Sequence, residues 1–273
     1  MMSNNPITAT TKPALARTLE TTKDKFLGGH VLVEQPKRGY HRAGIDAVLL
    51  AAALPECCKG HVMDLGAGVG TAGFCAAWRL PEITVTSVEI DPFTAALAKG
   101  ALDFPENASF ASRVKLLQTD LTAKGTQRHA TGLHPNQADH IIMNPPYYAK
   151  GKFRETDKQA RHTAHVLDER GMEPWIKTAK DLIKDAGTLT IIFRADGLQQ
   201  ILEPMTGRFG GIKIKPIHPT EDANANLIII QAVSASKAPL QILPPLVLHE
   251  ASKNNYCSQT ESILRKGTRL KLN

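Results

Sequence analysis

The residues of this sequence best suited to chemistry lie in a short motif that follows an apolar run. Residues 139–148 read D-H-I-I-M-N-P-P-Y-Y, and the run I-I-M within them predicts a buried strand. The two prolines cannot continue a central strand, because each lacks the N–H that the ladder needs and has a fixed φ. The chain must therefore leave the sheet in a stiff turn that displays Asn144, main-chain carbonyls and Tyr147.

This turn suits a planar ring that carries an amine. The side-chain oxygen of Asn144 and the carbonyl oxygen of Pro145 can accept the two N–H bonds of such an amine, while Tyr147 stacks on the face of the ring. For so short a motif, a proline-bounded loop with a surface tyrosine is the alternative. The candidate catalytic residues are Asn144, Pro145, Pro146 and Tyr147.

A second turn, rich in glycine, predicts a nucleotide-like ligand. Residues 61–73 read H-V-M-D-L-G-A-G-V-G-T-A-G, an apolar strand that enters a G-x-G-x-G turn and continues into a helix of small residues. Glycine allows a tight turn and the close approach of a ligand, and the start of the helix presents N–H groups without helical partners. A strand predicted over 83–90 ends beside Glu89, whose carboxylate could accept hydrogen bonds from ribose hydroxyls. The pattern therefore predicts a site for a nucleoside cofactor.

The form of this turn favours S-adenosylmethionine over a dinucleotide. A dinucleotide turn has the spacing G-x-G-x-x-G, and Asp64 directly ahead of the turn would repel a pyrophosphate but suits a cationic amino-acid end. Asp46, near the start of a predicted helix, could line the same pocket or simply favour the helix dipole. Asp120, after the third strand, could accept the adenine amine or act as an ordinary cap. The candidate cofactor contacts are Asp46, Asp64, Gly66, Ala67, Gly68, Gly70, Glu89, Ile90, Asp120, Leu121 and Asn144.

The remaining pattern predicts one α/β domain of the Rossmann type. Strands alternate with helices, which favours a mostly parallel sheet of seven strands flanked by helices. Additions to it are a hairpin over 26–36, a helix over 45–54, a loop over 122–137 and an edge strand over 240–249, where prolines exclude a central position. The expected division is a disordered tail (1–22), one domain (23–252) and a basic tail (253–273).

Composition sets limits on partners and compartment. A net charge of +7 favours a polyanionic partner such as nucleic acid. The four cysteines lack the spacing of a metal site or a disulfide framework, which predicts reduced thiols, no bound metal and a cytoplasmic location. No apolar run approaches the roughly 18 residues of a membrane span, and no pattern indicates an oligomeric state. Basic residues after the N-P-P-Y turn predict contacts to an RNA backbone, with a solvated loop as the alternative. These candidates are Lys150, Lys152, Arg154, Arg161 and His162.

Taken together, the motifs resemble those of the class I S-adenosylmethionine-dependent methyltransferases and, within them, the enzymes with an N-P-P-Y motif. Over about residues 26–252 the chain resembles the bacterial tRNA adenine-N6 methyltransferases that act beside the anticodon of a valine tRNA. The segments that resemble this family are G-G-H-V-L-V-E-Q-P-K-R-G-Y-H-R-A-G-I-D-A-V-L-L-A-A, D-L-G-A-G-V-G-T-A-G, N-P-P-Y-Y, A-R-H-T and P-P-L-V-L-H-E. The resemblance implies a class I methyltransferase fold, a tRNA partner and methyl transfer to the N6 amine of an anticodon-loop adenine.

Other acceptors are compatible with the same pair of motifs. One is the side-chain amide of a glutamine in a translation release factor, although the helical N-terminal domain of that family has no counterpart here. Adenine in DNA and guanine in ribosomal RNA are further options. A nonenzymatic RNA-binding protein on the same fold would be expected to have lost the glycines or Asn144, and both are present.

Overall fold

The computed structural model of the chain describes residues 19–146, 171–250 and 255–272. Six of the candidate residues lie outside these ranges, and the predictions made for them stay predictions. They are Tyr147, Lys150, Lys152, Arg154, Arg161 and His162. Over the described ranges, no helix combines the length and the apolar character that crossing a membrane requires.

The strands form a hairpin and one large sheet. The hairpin pairs β1 (Thr21–Phe26) with β2 (Val31–Pro36) in antiparallel fashion. The longer strands of the sheet are β3 (Gly60–Leu65), β4 (Ile83–Glu89), β5 (Val114–Gln118), β6 (Ala138–Met143), β7 (Ile183–Arg194), β8 (Phe209–His218) and β9 (Leu227–Ser234). Two short strands, β10 (Gln241–Ile242) and β11 (Leu246–Val247), extend the edge formed by β8.

The helices alternate with these strands as the sequence predicts. In the described ranges they are α1 (Ile45–Ala52), α2 (Thr71–Arg79), α3 (Pro92–Ala101), α4 (Gly125–Ala130), α5 (Glu173–Leu182), α6 (Leu198–Met205) and α7 (Ser258–Lys266). Local signals explain several of the helix ends. For example, the Asp91 side chain accepts hydrogen bonds from two N–H groups at the start of α3, and Pro92 occupies its first position.

The order of strands across the sheet is β5-β4-β3-β6-β7-β9-β8. Strands β3 to β7 pair in parallel, and β9 runs antiparallel to both of its neighbours. This confirms the expected mostly parallel sheet of seven long strands. It also confirms an edge strand in 240–249, where β10 and β11 flank the two prolines.

Both faces of the sheet are covered. Successive side chains of a strand point to opposite faces, and in β6 Ile141 and Met143 belong to one buried cluster while Ile142 belongs to the other. Helices α1, α2, α3 and α7 cover the Ile142 face, and α5 and α6 cover the opposite face. Burial on both faces explains why the central strands are apolar runs without alternation.

A buried asparagine ties the hairpin to the domain. The Asn107 side chain donates to the carbonyl oxygens of Leu32 and Ala101, at 2.7 Å each, and accepts from the Leu32 N–H at 2.9 Å. All three of these hydrogen bonds join the amide to main chain, as burial requires. The hairpin is therefore fixed to the end of α3.

The structure differs from the sequence expectations in three places. The segment 122–137, expected as a loop, contains α4. Strand β1 begins at Thr21, inside the segment expected as a disordered tail, because its main chain pairs with the end of β2. The segment expected as a basic tail contains α7, and beyond it Leu270 and Leu272 are buried in the core. The described residues 255–272 are accordingly part of the packed fold.

Candidate active site

The candidate site residues converge because parallel strands end at the same edge of the sheet. In the register of β3 with its neighbours, Leu65 pairs with Val88 on one side and with Met143 on the other. The residues that follow these strands, including Gly66 and Asn144, therefore leave the sheet side by side. Neighbouring strands of a sheet lie about 5 Å apart. The structure thus brings the glycine turn, the end of β4 and the N-P-P turn together.

The glycine turn is held by main-chain hydrogen bonds to β4. The N–H groups of Gly66 and Ala67 both donate to the Val88 carbonyl at 2.9 Å. Gly66 has a φ of +75°, and a Cβ there would lie 2.6 Å from the Trp175 ring. Gly68 also has a positive φ, +56°, but a Cβ there would meet no atom within 4 Å. The turn is thus closely packed on one side and open at Gly68, as an approaching ligand would need.

Glu89 joins the turn to the end of β4. One carboxylate oxygen accepts from the Gly68 N–H at 2.7 Å and the other from the Asp91 N–H at 2.8 Å. Burial raises the pKa of Glu89, although these main-chain bonds act in the opposite direction. Each carboxylate oxygen has a second lone pair, so Glu89 can still accept from ribose hydroxyls. Beside it, Ile90 has 43% of its surface exposed and offers an apolar contact.

Asp64 lies beneath the turn. It is 1% exposed, and one of its oxygens accepts from the Gly73 N–H in α2 at 2.8 Å. Burial raises the pKa of this carboxyl to about 7, against an ordinary value of 3.8. The observed contact fixes the start of α2 below the glycine turn. A direct contact between Asp64 and a cofactor stays a prediction.

Asp120 is held by a local turn after β5. Its Oδ1 atom accepts from both the N–H and the hydroxyl of Thr122, at 2.7 Å each. Bonds of this kind fix the side chain of an aspartate relative to its own loop. Next to it, Leu121 is buried and its carbonyl accepts from the Thr178 hydroxyl at 2.8 Å. This connects the loop to α5.

Asn144 is held by a side chain from a distant part of the chain. Its Nδ2 atom donates to Asp46 Oδ2 at 2.7 Å, and Asp46 Oδ1 accepts from the Gly44 N–H at 2.9 Å. His41 Nε2 lies 3.9 Å from Asp46 Oδ2. Burial alone would raise the pKa of Asp46, but the neighbouring His41 ring and the hydrogen bonds from Asn144 and Gly44 outweigh it and hold that pKa below its ordinary value. The carboxylate next to Asn144 is therefore ionised at neutral pH.

Pro145 and Pro146 follow Asn144 and leave the strand, as the motif predicts. Pro145 is buried and Pro146 is half-buried. Neither residue has an N–H group, so neither proline can donate a main-chain hydrogen bond to the carbonyl oxygens of the turn. The arrangement places two acceptor groups, on Asn144 and Pro145, next to the glycine turn.

Two aromatic residues at this edge were not singled out from the sequence. The ring of Trp175 in α5 packs on Gly66 and helps to fix the position of the glycine turn. Tyr40 lies 5.6 Å, centroid to centroid, from the Phe93 ring at the start of α3. Burial, and to a smaller extent the charge of Asp91, raises the pKa of Tyr40. An aromatic residue on the apolar face of a helix was the available signal for Trp175, whereas Tyr40 gave no signal beyond its place between basic residues.

Comparison with known proteins adds a family. The model of the family described as "methyltransferase small domain" matches residues 40–215. This range contains every candidate cofactor contact and the whole N-P-P-Y turn.

Two similar relatives carry the name tRNA1(Val) (adenine(37)-N6)-methyltransferase. The protein from Shewanella loihica is 30% identical over 166 residues, which cover 60% of this chain and 64% of that protein. The protein from Yersinia pestis is 30% identical over 152 residues, covering 55% and 57% of the two chains. The chain therefore spans about 60% of the length of the relatives that it matches.

Among solved structures, a similar one is described as a predicted O-methyltransferase from Agrobacterium tumefaciens. It superimposes with a TM-score of 0.71 at 30% sequence identity, and the match covers 82% of this chain and 98% of that one. The likeness extends over nearly the whole of that protein.

Proposed function

Since this chain belongs to the methyltransferase small domain family, we propose that it transfers a methyl group from S-adenosylmethionine to the N6 amine of an adenine in a tRNA anticodon loop. Family membership confirms the resemblance to methyltransferases seen in the sequence. The observation that carries the choice of an amine is the placement of Asn144 and Pro145 at the end of β6, beside the glycine turn. The names of similar relatives support adenine N6 and tRNA as the acceptor.

The residues of the glycine turn fit S-adenosylmethionine. The space at Gly68 admits a ligand close to the main chain, and Glu89 has lone pairs left for ribose hydroxyls. Exposed Ile90 provides an apolar surface for a base, and the fixed carboxylate of Asp120 can accept from an adenine amine. When bound, the cofactor supplies an electrophilic methyl group on a sulfonium.

The residues of the N-P-P turn act on the acceptor. The adenine amine is a poor nucleophile, because its lone pair is delocalised into the ring. Asn144 Oδ1 and the Pro145 carbonyl accept its two N–H bonds and draw the nitrogen towards a tetrahedral shape, which localises that pair. No strong base is needed before attack, and the rate comes mainly from holding the amine in line with the methyl group.

The target adenine must leave its stack before it can reach this turn. Bases of an anticodon loop are accessible in this way, and an aromatic residue can hold an extruded base by stacking, worth about 1–3 kcal/mol. Tyr147 is the residue that we assign to this contact. The net charge of +7 favours an RNA backbone, and we assign its contacts to Lys150, Lys152, Arg154, Arg161 and His162.

A parallel assay of three acceptors tests the proposal. Purified protein is incubated with labelled S-adenosylmethionine and, separately, with unmodified total tRNA, duplex DNA or a release factor, and nucleosides are analysed by mass after digestion. N6-methyladenosine that forms in tRNA alone, and is absent with Asn144→Ala, is the expected result. Label in the release factor or in DNA instead would refute the tRNA assignment, and label in none of the three would refute the proposed reaction.

Asp139→Asn provides a matched control for this assay. Asp139 lies at the start of β6, whereas Asn144 follows the end of that strand at the opposite edge of the sheet. Asp139 accepts from the His61 N–H at 2.8 Å and from Lys184 at 2.7 Å. Its substitution tests whether any change in β6 abolishes activity. We expect the control variant to keep at least half of the wild-type rate.

A further inference from the structure

The contact between Asp46 and Asn144 determines which way the asparagine amide faces. An ionised carboxylate can only accept hydrogen bonds, so the group of Asn144 that lies 2.7 Å from Asp46 Oδ2 must be the Nδ2 amino group. With the amide turned over, two acceptor oxygens would meet at that distance and repel each other. Oδ1 of Asn144 therefore lies on the side of the amide that is turned away from Asp46.

Asp46 is itself fixed in place. It lies in the first turn of α1, whose residues 47–52 are all buried, and its second oxygen accepts from the Gly44 N–H at 2.9 Å. His41 stands 3.9 Å from the oxygen that binds Asn144. Both carboxylate oxygens are thus engaged by the protein, and the side chain is only 13% exposed. These contacts suit a residue that orients a neighbour.

We propose that Asp46 is a positioning residue, which holds the Asn144 amide with its oxygen towards the methyl acceptor and so selects an amine as the nucleophile. This inference rests on the proposed function, since it assigns Asn144 to the acceptor. An exocyclic amine has two N–H groups and can satisfy both Asn144 Oδ1 and the Pro145 carbonyl. A hydroxyl has one O–H and would leave one of the two oxygens without a donor from the acceptor, which is unfavourable wherever water cannot replace that donor.

A role in orientation differs measurably from a role in cofactor binding. If Asp46 touched the cofactor, Asp46→Asn would weaken the binding of S-adenosylmethionine. If Asp46 orients Asn144, the variant should bind the cofactor normally and react slowly. Asparagine is nearly the same size as aspartate and is also favoured at helix starts, so the variant keeps α1. It removes the negative charge and allows the Asn144 amide to turn over.

Kinetics of a double-mutant cycle provide the first test. With Asp46→Asn we expect turnover at saturating substrates to fall by about 10- to 100-fold, as for a misplaced reacting group, with cofactor affinity by calorimetry unchanged within a factor of about 2. In an Asn144→Ala background, Asp46→Asn should have no further effect on turnover, because the two residues act as a unit. Weaker cofactor binding with normal turnover, or additive losses in the double variant, would overturn the inference. The Asp139→Asn variant is the control for the removal of a carboxylate from the same protein.

A second test needs no substrate. In nitrogen-proton correlation spectra the side-chain amide signal of Asn144 can be identified by its absence in Asn144→Ala, and a short bond to a carboxylate shifts one of its protons downfield. That shift should disappear in Asp46→Asn and persist in Asp139→Asn. An Asn144 signal that is the same with and without Asp46 would overturn the inference. If the wild-type protein methylates no amine at all, the proposed function fails, and these spectra still decide whether Asp46 orients Asn144.

Discussion

The two halves of the candidate site are held in different ways. In the cofactor half, above β3 and β4, the hydrogen bonds that hold the turn are donated by main-chain N–H groups, as when Gly66 and Ala67 donate to the Val88 carbonyl and Gly68 donates to Glu89. In the acceptor half, at the end of β6, Asn144 is held by the side chain of Asp46, 98 residues earlier in the chain. A main-chain frame is sensitive to backbone changes, whereas a hydrogen bond between side chains can be broken without unfolding. Substitutions in the cofactor half should therefore lower cofactor affinity or stability, whereas substitutions in the acceptor half should lower turnover.

Asn144→Ala should show the largest difference between its effect on turnover and its effect on cofactor affinity. Removal of one of the two proposed acceptors is expected to lower turnover by about 100- to 1000-fold, which corresponds to about 3–4 kcal/mol. Cofactor affinity should change by less than a factor of about 3, since the glycine turn does not depend on this side chain. Single-turnover rates and calorimetry of S-adenosylmethionine binding give both quantities. A large loss of cofactor affinity would show that the two halves are not independent.

A pair of glycine substitutions probes the cofactor half. Gly66→Ala should lower the free energy of unfolding by about 2–4 kcal/mol, because an alanine at positive φ is strained and its Cβ would strike the Trp175 ring. Gly68→Ala has the same backbone strain but open space around the added methyl group, and should cost about 1 kcal/mol. Urea unfolding of the two variants provides the comparison. Equal losses of stability would mean that Trp175 can move aside and does not fix the position of the glycine turn.

The same pair addresses binding. In Gly68→Ala the added methyl group points into the open side of the turn, so cofactor affinity should fall by more than stability does. If the affinity of this variant equals that of the wild type, the cofactor does not approach Gly68. Such a result would leave the fold interpretation intact and move the proposed pocket.

The difference between the halves also explains what the sequence could predict. In the cofactor half, β3, the glycine turn and the start of α2 are consecutive in sequence, so these three follow from local pattern. Asp46 could be placed in the first turn of a helix, but its bond to Asn144 depends on how α1 packs against β6. No local pattern encodes that packing, and the sequence accordingly favoured a cofactor contact or a cap for Asp46.

Helix α4 is a second case in which tertiary contacts, and not the local sequence, determine the structure. Its six residues, G-T-Q-R-H-A, form a helix too short to be stable alone. Arg128 holds it in place, donating to the Ala123 carbonyl at 2.9 Å, to the Thr178 hydroxyl at 3.2 Å and to Asp181 at 2.6 Å. These partners lie largely on α5, which the local composition of 122–137 could not reveal.

Asp64 makes the cofactor half sensitive to pH. With a folded pKa of about 7 against an ordinary value of 3.8, this carboxyl is protonated in the folded protein over a range where it is ionised in the unfolded chain. Its contribution to stability is therefore present at low pH and is lost as the pH rises towards 7. Between pH 5 and pH 7, where the carboxyl becomes half ionised in the folded protein, the loss amounts to about 2 kcal/mol. Asp64→Asn should abolish this part of the decline in the free energy of unfolding.

Asp139→Asn is again the control, because its lowered pKa leaves the carboxyl ionised in both states above pH 5. The measurement is urea unfolding of the three proteins at pH 5 and pH 7. Asp64→Asn should differ from the wild type in its pH dependence, and Asp139→Asn should not. The same decline in all three proteins would place the responsible group elsewhere.

Substitutions of Tyr147 test the acceptor half from the side of the target base. If its ring stacks on the target base, Tyr147→Ala should lower the ratio kcat/KM for RNA by a factor equivalent to about 1–3 kcal/mol. Tyr147→Phe keeps the ring and should lose much less, with cofactor affinity unchanged in both variants. Equal losses in the two variants would refute stacking and point to the hydroxyl. If the losses were confined to turnover, Tyr147 would share the role of Asn144 and Asp46 in positioning the amine. Each of these contacts in the acceptor half would then be made by a side chain.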